Sequence, residues 1–401
     1  MNTTYVGIDW AKDEHRVCVL GEAGRIVQQF AVRHDRDGLH DLQRMLRAHG
    51  RPEDLPVAIE RPSGLLVDTL LEAGHPVVPI HPNAVKASRP RYRANLAKDD
   101  RGDALLLADL LRTDGHRFDP LTPLSDEMRA IRCLARSRDD LIKQRVMLTN
   151  QLSSLLENGW PGALGLFGDL ASPIALAFLG RYPSPGDARR LGVKRMRAFL
   201  AKHAYSGRTQ PETFIERIKA APHSRQGRLE ADACREVVLA LVSTLRTLIQ
   251  RIDEVTRALV HATRESAMGR LVMSFPRTGD VNAAQLVAEL GEDPRRFAGR
   301  DHLASEAGAS PITIASGKHT RVAFRYACNK TLRKAVTSWV NNTRFASPWA
   351  QRKYRQARDR SHKHTHAIRI LARAWLRILY ACWHNGTPYD PTIHHGQTAQ
   401  G

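Results

Sequence analysis

The sequence lacks long apolar runs and has few cysteines. A membrane-spanning helix needs about 20 consecutive apolar residues, and no stretch of this chain approaches that length. The opening residues, MNTTYVGIDWAKDEH, show no basic segment followed by an apolar one, so we expect no secretory signal. The five cysteines are widely separated and none forms a C-x-x-C pair, which argues against a zinc site or a disulfide framework. We therefore expect a cytoplasmic protein with no membrane partner.

Acidic residues are scarce in the C-terminal part of the chain. The whole sequence has 61 Lys and Arg against 41 Asp and Glu, a net charge of +20. Between Gly317 and Arg377 there are 16 Lys and Arg and one acid, Asp359. Charge this concentrated favours a nucleic-acid partner, because each phosphate contact releases counterions. Contact with an anionic membrane, or solubility alone, are the alternatives.

The first 120 residues alternate strand and helix patterns. Strands are predicted at 5–10, 16–20, 25–32, 57–60 and 75–80, and helices at 37–49 and 64–73. The order β-β-β-α-β-α-β, three hairpin strands followed by crossovers, is the arrangement of the ribonuclease-H-like fold. The sequence therefore predicts an α/β N-terminal domain at 1–120.

The rest of the chain is predicted to be mostly helical. Long amphipathic helices at 125–156 and 229–260 bracket an insert rich in Pro, Gly and Arg. The two helices form either an antiparallel pair within the chain or an oligomerisation stalk. Later residues predict a helix, tight turn and helix at 271–292, a loop at 309–318 and basic helical stretches at 329–383. The predicted domains are a helical, coiled-coil region at 121–265 and a C-terminal domain at 266–401.

Four carboxylates are placed by these elements. Asp9 ends the first predicted strand and Glu60 ends the fourth, and these strands are neighbours in a ribonuclease-H-like sheet. Asp100 and Asp103 share one face of the first turn of a helix that the run Ala104–Leu111 predicts. Four carboxylates at one point repel unless cations bind them, and oxygen ligands suit Mg²⁺ or Mn²⁺. Two such ions support phosphodiester chemistry, although the helix dipole alone would also favour acids in a first turn.

Three short motifs carry a resemblance to a known family. The segments are GIDWAK at Gly7–Lys12, AIERPSG at Ala58–Gly64 and K-x-D-x-x-D-A at Lys98–Ala104. They resemble the DEDD transposases of bacterial insertion sequences, which are bridge-RNA-guided serine recombinases with a RuvC-like N-terminal domain. The resemblance implies that Asp9, Glu60, Asp100 and Asp103 are the metal-binding, catalytic tetrad. Asp99 stands where the family usually has Thr or Ser.

A second resemblance covers 273–290, where the family has a helix-hairpin-helix with the turn P-G-x-G-P. Here the turn reads Pro276-Arg277-Thr278-Gly279-Asp280, so an arginine replaces one glycine and an aspartate replaces the second proline. Such a turn offers backbone N–H groups to DNA phosphates. A simple corner between two helices is the alternative.

The segment GASPITIASGK at Gly308–Lys318 resembles the stretch in which the family's catalytic serine stands directly before a glycine. The resemblance implies Ser316 as the nucleophile, with Ser310 as the second candidate. Basic residues nearby are candidate nucleic-acid contacts: Lys318, Arg321, Arg325, Lys330 and Arg333.

The resemblance also implies partners. These are donor and target DNA, a structured bridge RNA, and a homodimer that assembles into a homotetramer with the site shared between protomers. A nucleoid-associated location follows. Two alternatives stay open: a structure-specific, metal-dependent nuclease that uses water with no covalent intermediate, and a nucleic-acid-binding protein with structural acids.

Aromatic and histidine residues in the basic region have competing interpretations. Aromatic rings among arginines can stack on bases, yet at helical spacing they more often fill a core. We expect Trp375 and Trp383 in the core and leave Trp349 and Tyr354 open. The histidines of 361–366 form either a solvated basic face or a metal site through His362 and His366.

Overall fold

The computed structural model of the protein describes residues 4–91, 100–222, 224–316 and 319–396. The chain divides into two units. The first comprises Met1–Leu124 with Arg295–Ala298, and the second comprises Ser125–Pro294 with Gly299–Gly401. No helix formed by the described residues is long and apolar enough to cross a membrane.

The first unit is built on a five-stranded mixed sheet of order β3-β2-β1-β4-β5. The strands are β1 (Tyr5–Asp9), β2 (Glu14–Leu20), β3 (Ile26–Arg33), β4 (Val57–Ile59) and β5 (Val77–Pro79). β1, β2 and β3 form an antiparallel meander, whereas β4 pairs in parallel with both β1 and β5. The predicted order of strands and crossovers is confirmed, and so is the pairing of the first strand with the fourth.

Helices cover both faces of this sheet. They are α1 (Arg36–Arg47), α2 (Leu65–Glu72), α3 (Pro82–Ser88) and α4 (Asp100–Asp114). Val6 and Ile8 pack with leucines of α1 and α2 on one face. Ala58 and Val78, which point to the other face, pack with leucines of α4. Because β1 and β4 are buried on both faces, their sequences are continuously apolar rather than alternating. The short helix α3 was not predicted.

The second unit contains two long helices, α5 (Asp126–Gly159) and α9 (Arg228–Glu265). Ser125 begins α5 by accepting a hydrogen bond from the Met128 backbone amide. Arg138 Nε donates to Thr256 Oγ1 at 2.7 Å, and Gly159, at the other end of α5, lies against Gln226. The helices are therefore antiparallel neighbours within one chain, the first of the two arrangements that the sequence left open.

The insert between these helices folds onto one end of the pair. It contains α6 (Pro173–Arg181), α7 (Val193–Lys202) and α8 (Pro211–Ala220). Its rings pack against each other and against the leucines at the ends of α5 and α9, and the buried ones are Trp160, Phe178, Tyr182, Phe199 and Phe214. These rings give the three short helices a core of their own.

The remaining elements are short helices and one hairpin. They are α10 (Ala267–Met273), α11 (Asp280–Leu290), α12 (Arg300–Glu306), β6 (Ile312–Ser316), β7 (His319–Ala323), α13 (Lys330–Thr343), α14 (Pro348–Asp359), α15 (His364–Asn385) and α16 (Pro391–Gly396). The helix, turn and helix at 271–292 and the basic helices are confirmed. The loop predicted at 309–318 is wrong in part, because Ile312–Ser316 form the strand β6.

Tryptophans organise the core of this region. Trp339 and Trp375 are fully buried, and Trp375 Nε1 donates to Thr343 Oγ1 at 2.9 Å. Trp383 is buried too and donates to the Glu292 carbonyl, so the prediction of core positions for Trp375 and Trp383 is confirmed. Trp349 packs edge-on against Trp375 with ring centroids 4.8 Å apart. Its indole therefore contributes to this core as well.

Candidate active site

Asp9 and Glu60 lie at the carboxyl ends of two adjacent parallel strands. Ile8 of β1 is in register with Ile59 of β4, so the next residue of each strand is one of these acids. Both side chains are half-buried. The Glu60 carboxylate has no hydrogen-bond or ion-pair partner among the described residues. The sheet therefore places these two acidic residues at the ends of adjacent strands.

Helix α4 reaches the same edge because of a glycine. A Cβ at position 7 would lie 2.2 Å from the carbonyl oxygen of Ala104 and 2.4 Å from the amide nitrogen of Ala108. Only glycine allows the backbones of β1 and α4 to come this close. At the far end of α4, Arg112 Nη1 donates to the Glu22 carbonyl in the β2–β3 turn. The first turn of α4 therefore lies toward the Asp9 end of β1.

Asp103 in that first turn is buried, with 8% of its surface exposed. Its carboxylate accepts a 2.8 Å hydrogen bond from Arg89 Nη2, at the end of α3. The Nε of Arg89 is buried and has no hydrogen-bond partner among the described residues. Sequence reasoning missed Arg89, because nothing local to position 89 indicates a carboxylate from α4. A buried carboxylate is destabilising unless positive charge compensates it, and Arg89 supplies that charge to Asp103.

The fourth predicted carboxylate is only partly described. Asp100 begins α4, but its side chain lies outside the described residues, as do Lys98 and Asp99. Among the side chains that are described, no three His, Cys, Asp or Glu residues lie close enough together to hold a metal ion. Convergence of Asp9, Glu60, Asp100 and Asp103 on one metal site therefore stays a prediction.

A cluster of aromatic and basic side chains adjoins the two strand-end acids. The Arg61 guanidinium lies over the Trp10 ring, 4.3 Å from its centroid. His15 is fully buried; its Nδ1 accepts from the Ala11 amide, and its Nε2 lies 2.8 Å from His34 Nδ1. Burial, and secondly the charge of His34, lower the pKa of His15 to about 4. This cluster was not predicted, although Trp10 and Arg61 directly follow the two acids in sequence.

Ser316 belongs to the second unit and is the last residue of β6. It is exposed and pairs with His319 of β7 across a two-residue connection. Gly317 and Lys318, which form that connection, lie outside the described residues. The hairpin exposes apolar side chains as well, including Val322 with 69% of its surface accessible. Ser316 is therefore presented at the tip of an exposed hairpin rather than in an irregular loop.

The other predicted nucleic-acid contacts differ in availability. Arg321 on β7 and Lys330 at the start of α13 are exposed. Arg325 Nε donates to the Ser310 carbonyl at 3.3 Å. Arg333 Nη2 donates to the Arg325 carbonyl at 2.8 Å and also contacts Cys328. Arg325 and Arg333 thus hold the base of the hairpin in place, a structural role that the sequence did not predict.

Two family models match this chain. The DEDD transposase model of IS110 elements matches residues 6–161, and a model described as "Transposase IS116/IS110/IS902 family" matches residues 269–355. The chain is also 35% identical over 398 residues to a mini-circle putative transposase for IS117 from Streptomyces coelicolor, covering 97% of this chain and 95% of the relative. The protein belongs to the IS110 family of transposases.

More distant relatives extend over the same length. An uncharacterized 44.8 kDa protein of insertion element IS116 from Streptomyces clavuligerus is 27% identical over 401 residues, covering 98% of each chain. An uncharacterized 42 kDa protein of IS900 from Mycobacterium paratuberculosis is 26% identical over 401 residues, covering 96% of this chain and 97% of the relative. Asp9, Glu60, Asp100 and Asp103 lie in the first matched region of this transposase and Ser316 in the second.

Proposed function

We propose that this IS110-family transposase cleaves and exchanges DNA strands through a covalent bond between Ser316 and DNA, with divalent ions on four carboxylates. The observation that carries the proposal is the placement of Asp9 and Glu60 at adjacent strand ends, with the acidic first turn of α4 brought to the same edge by Gly7. We further propose that the first unit is a RuvC-like, ribonuclease-H-like domain. Its strand order and its mixed pairing support this assignment.

The donor set fits Mg²⁺ or Mn²⁺. Asp9, Glu60, Asp100 and Asp103 would supply carboxylate oxygens, the ligands that these ions prefer. The Glu60 carboxylate has no hydrogen-bond or ion-pair partner among the described residues, so its oxygens are available to such an ion. When bound, the ions would neutralise charge that develops on a phosphodiester during cleavage.

Ser316 would act as the nucleophile. Its hydroxyl attacks a backbone phosphorus, so a Ser–O–P bond forms and the bond from phosphorus to one sugar oxygen breaks. The serine gives up its proton and the released sugar oxygen gains one, so the step consumes no water, oxidant or reductant. A sugar hydroxyl of another strand then reverses the reaction and restores both a DNA phosphodiester and the free serine. The exposure of Ser316 at a hairpin tip supports access by DNA.

The proposed partners are donor DNA, target DNA and a structured bridge RNA, bound by a homodimer that assembles into a tetramer. The segment Gly317–Arg377 contains 16 Lys and Arg and only one acid, and this positive charge supports binding of nucleic acid. Arg321 and Lys330 are exposed candidates for phosphate contact, and Lys318 is a further one from the sequence. A nucleoid-associated location follows from these partners.

The test is an adduct assay on supercoiled DNA that carries the element's ends. Protein, Mg²⁺ and the RNA transcribed from sequence flanking the reading frame are mixed, and protein–DNA bonds that survive SDS are measured. We expect adducts with the wild-type protein and none with Ser316→Ala. Asp9→Asn should abolish both cleavage and adducts, whereas Ser338→Ala, an exposed serine of α13, serves as the matched control.

Each other outcome rejects part of the proposal. Adducts formed by Ser316→Ala but lost in Ser310→Ala would move the nucleophile to Ser310. Mg²⁺-dependent cleavage with no adduct at all would indicate a nuclease that uses water. Binding of DNA without cleavage would leave the acids with a structural role only.

A further inference from the structure

A cavity of about 350 Å³ lies in the second unit, and Ser316 is not among the residues that line it. Its wall is formed by the segment that leads into β6, the end of β7 and one face of α15. The polar side chains in the wall are Ser310, Arg325, His366, Arg369 and Arg373. A cavity of this size is in the range of small-ligand sites. No carboxylate lines it among the described residues.

Positive charge is crowded at one side of this cavity. The guanidinium of Arg369 lies 4.7 Å from the centroid of Phe324, and that of Arg333 lies at the same distance from the same ring. Arg369 has no carboxylate partner in the part of the chain that the structure describes. Burial, and then the charge of Arg333, lower the pKa of Arg369. Among the described residues no acid lies between these two arginines, so the positive charge on this side of the cavity is one that an anion would offset.

Unsatisfied polar atoms lie in the same wall. Ser310 Oγ and Arg373 Nε are buried and have no hydrogen-bond partner among the described residues. The Nη2 of Arg373 already donates to Asp301 at 3.0 Å, so Nε is the group left over. Buried polar atoms without partners are costly. A ligand with several acceptor oxygens would satisfy them.

We propose that this cavity binds a backbone phosphate of a nucleic acid, with Arg369 as the principal contact and Arg373 and Ser310 as further donors. A guanidinium matches two oxygens of one phosphate with parallel hydrogen bonds. The choice of a nucleic-acid phosphate over other anions rests on the proposed function, since a transposase supplies that polyanion. The site would fix the strand whose phosphate it holds beside the hairpin β6–β7, because both Val322 and Ala323 of β7 line the cavity.

The test compares two arginines of the same helix. Arg369→Gln removes the cavity charge, and Arg377→Gln removes an equal charge two turns later on α15, where the side chain binds Asp301 and does not line the cavity. Full-length proteins are titrated with a fluorescent DNA duplex and with a structured RNA of equal phosphate number, at several KCl concentrations. We expect Arg369→Gln to weaken one of these two complexes about tenfold and to reduce the salt slope by about 0.9 for duplex or 0.7 for single strands. Arg377→Gln should change affinity by about twofold at most, because Arg377 is ion-paired with Asp301 and does not line the cavity, so its loss acts only through the general field.

The probe that loses affinity identifies the source of the phosphate. A loss with duplex assigns the cavity to DNA, and a loss with RNA assigns it to the guide. Equal affinities of the Arg369→Gln and Arg377→Gln proteins for both probes would overturn the proposal. A second result would also overturn it. If inorganic pyrophosphate stabilised the wild-type protein against heat but not the Arg369→Gln protein, and neither nucleic acid responded to the substitution, the site would take a free anion.

Folding and activity are separated from binding by two further measurements. If Arg369→Gln lowers the unfolding temperature, the Arg369→Lys protein is measured instead. This substitution keeps the charge but loses the bidentate hydrogen bonds to phosphate. Nucleic-acid binding by Arg369→Lys as tight as that of the wild type would overturn the proposal. The Ser316→Ala protein should show the same dependence on Arg369. Failure of the adduct assay therefore removes the proposed function, whereas loss of the Arg369 effect removes only this site.

Discussion

The carboxylates of the first unit and the serine of the second are held in opposite ways. Asp9 and Glu60 end buried strands, and Asp103 is fixed by the contact of α4 with Gly7 and by Arg89. Ser316 stands on a two-stranded hairpin whose side chains are mostly exposed. A two-stranded hairpin has little stability of its own. The acids of the first unit are therefore positioned by buried packing, whereas Ser316 lies at an exposed hairpin end that is held at its base, by Arg325 and Arg333.

The largest effect is expected for Gly7→Ala, which tests whether the close contact of β1 with α4 positions the acids. The new methyl group would overlap the backbone of Ala104 and Ala108, so α4 must move away from β1. We expect a loss of about 3 kcal/mol of folding free energy, together with loss of strand cleavage. Chemical denaturation and the cleavage assay measure the two effects. Gly21→Ala is the control, since its nearest neighbour would be at 3.6 Å; equal effects of both substitutions would show that close packing at Gly7 is unimportant.

Arg89→Gln tests the ion pair that holds Asp103. The substitution leaves the buried Asp103 carboxylate without its cation, and we expect a loss of about 1–3 kcal/mol; the loss is moderate because the Arg89 side chain is itself partly exposed to solvent. Mg²⁺ should restore part of the stability, since it would supply the missing charge. Denaturation with and without Mg²⁺ measures this. The double variant Arg89→Gln with Asp103→Asn is the control, and a Mg²⁺ response of equal size in that protein would argue against binding at Asp103.

The pH dependence of stability tests how well the first unit shields the groups beside the site. The pKa of His15 is about 4 in the folded chain, below its usual value near 6.5. Between these values the unfolded chain binds a proton that the folded chain does not, so stability should fall as pH decreases from about 6.5 to 4. His15→Asn should flatten the curve, because it removes the titrating imidazole. The asparagine amide oxygen can still accept the hydrogen bond from the Ala11 amide, so the fold is kept. His319→Asn, in the exposed hairpin, should keep the wild-type dependence; an unchanged curve in His15→Asn would contradict the assignment.

The smallest expected effect concerns the turn between α10 and α11. Arg277 has φ of 55° and is exposed, a left-handed conformation that glycine adopts without strain. Arg277→Gly should therefore stabilise the protein by about 0.5–1 kcal/mol, seen as a higher unfolding temperature. Arg277→Ala removes the same side chain and keeps the strained backbone, so it should show no gain. A gain of equal size in both would attribute the effect to the side chain.

The sequence predicted the parts of the fold that bury apolar residues at regular intervals. Continuous apolar runs predicted β1 and β4, and helical spacing predicted α5 and α9. The hairpin β6–β7 was missed because its strands are exposed and carry no buried face that would set an alternating pattern. Helix α3 has one buried residue, Val85, and gave no periodic signal.

The candidate site was predictable to the extent that it depends on strand order. The adjacency of Asp9 and Glu60 follows from topology, which the element order indicated. The pairing of Arg89 with Asp103 and the burial of His15 beside His34 join residues that are 14 and 19 positions apart through the fold. Such pairs depend on the exact packing of helices against the sheet, which no local pattern encodes.

The most direct measurement of the central claim is anomalous diffraction from crystals of the full-length transposase containing Mn²⁺. We expect an anomalous peak from a Mn²⁺ ion that is coordinated by carboxylate oxygens of Asp9, Glu60, Asp100 and Asp103. The peak should be lost in Asp9→Asn. Full occupancy of Mn²⁺ elsewhere, with the carboxylates of Asp9 and Asp103 too far apart to share an ion, would contradict the account.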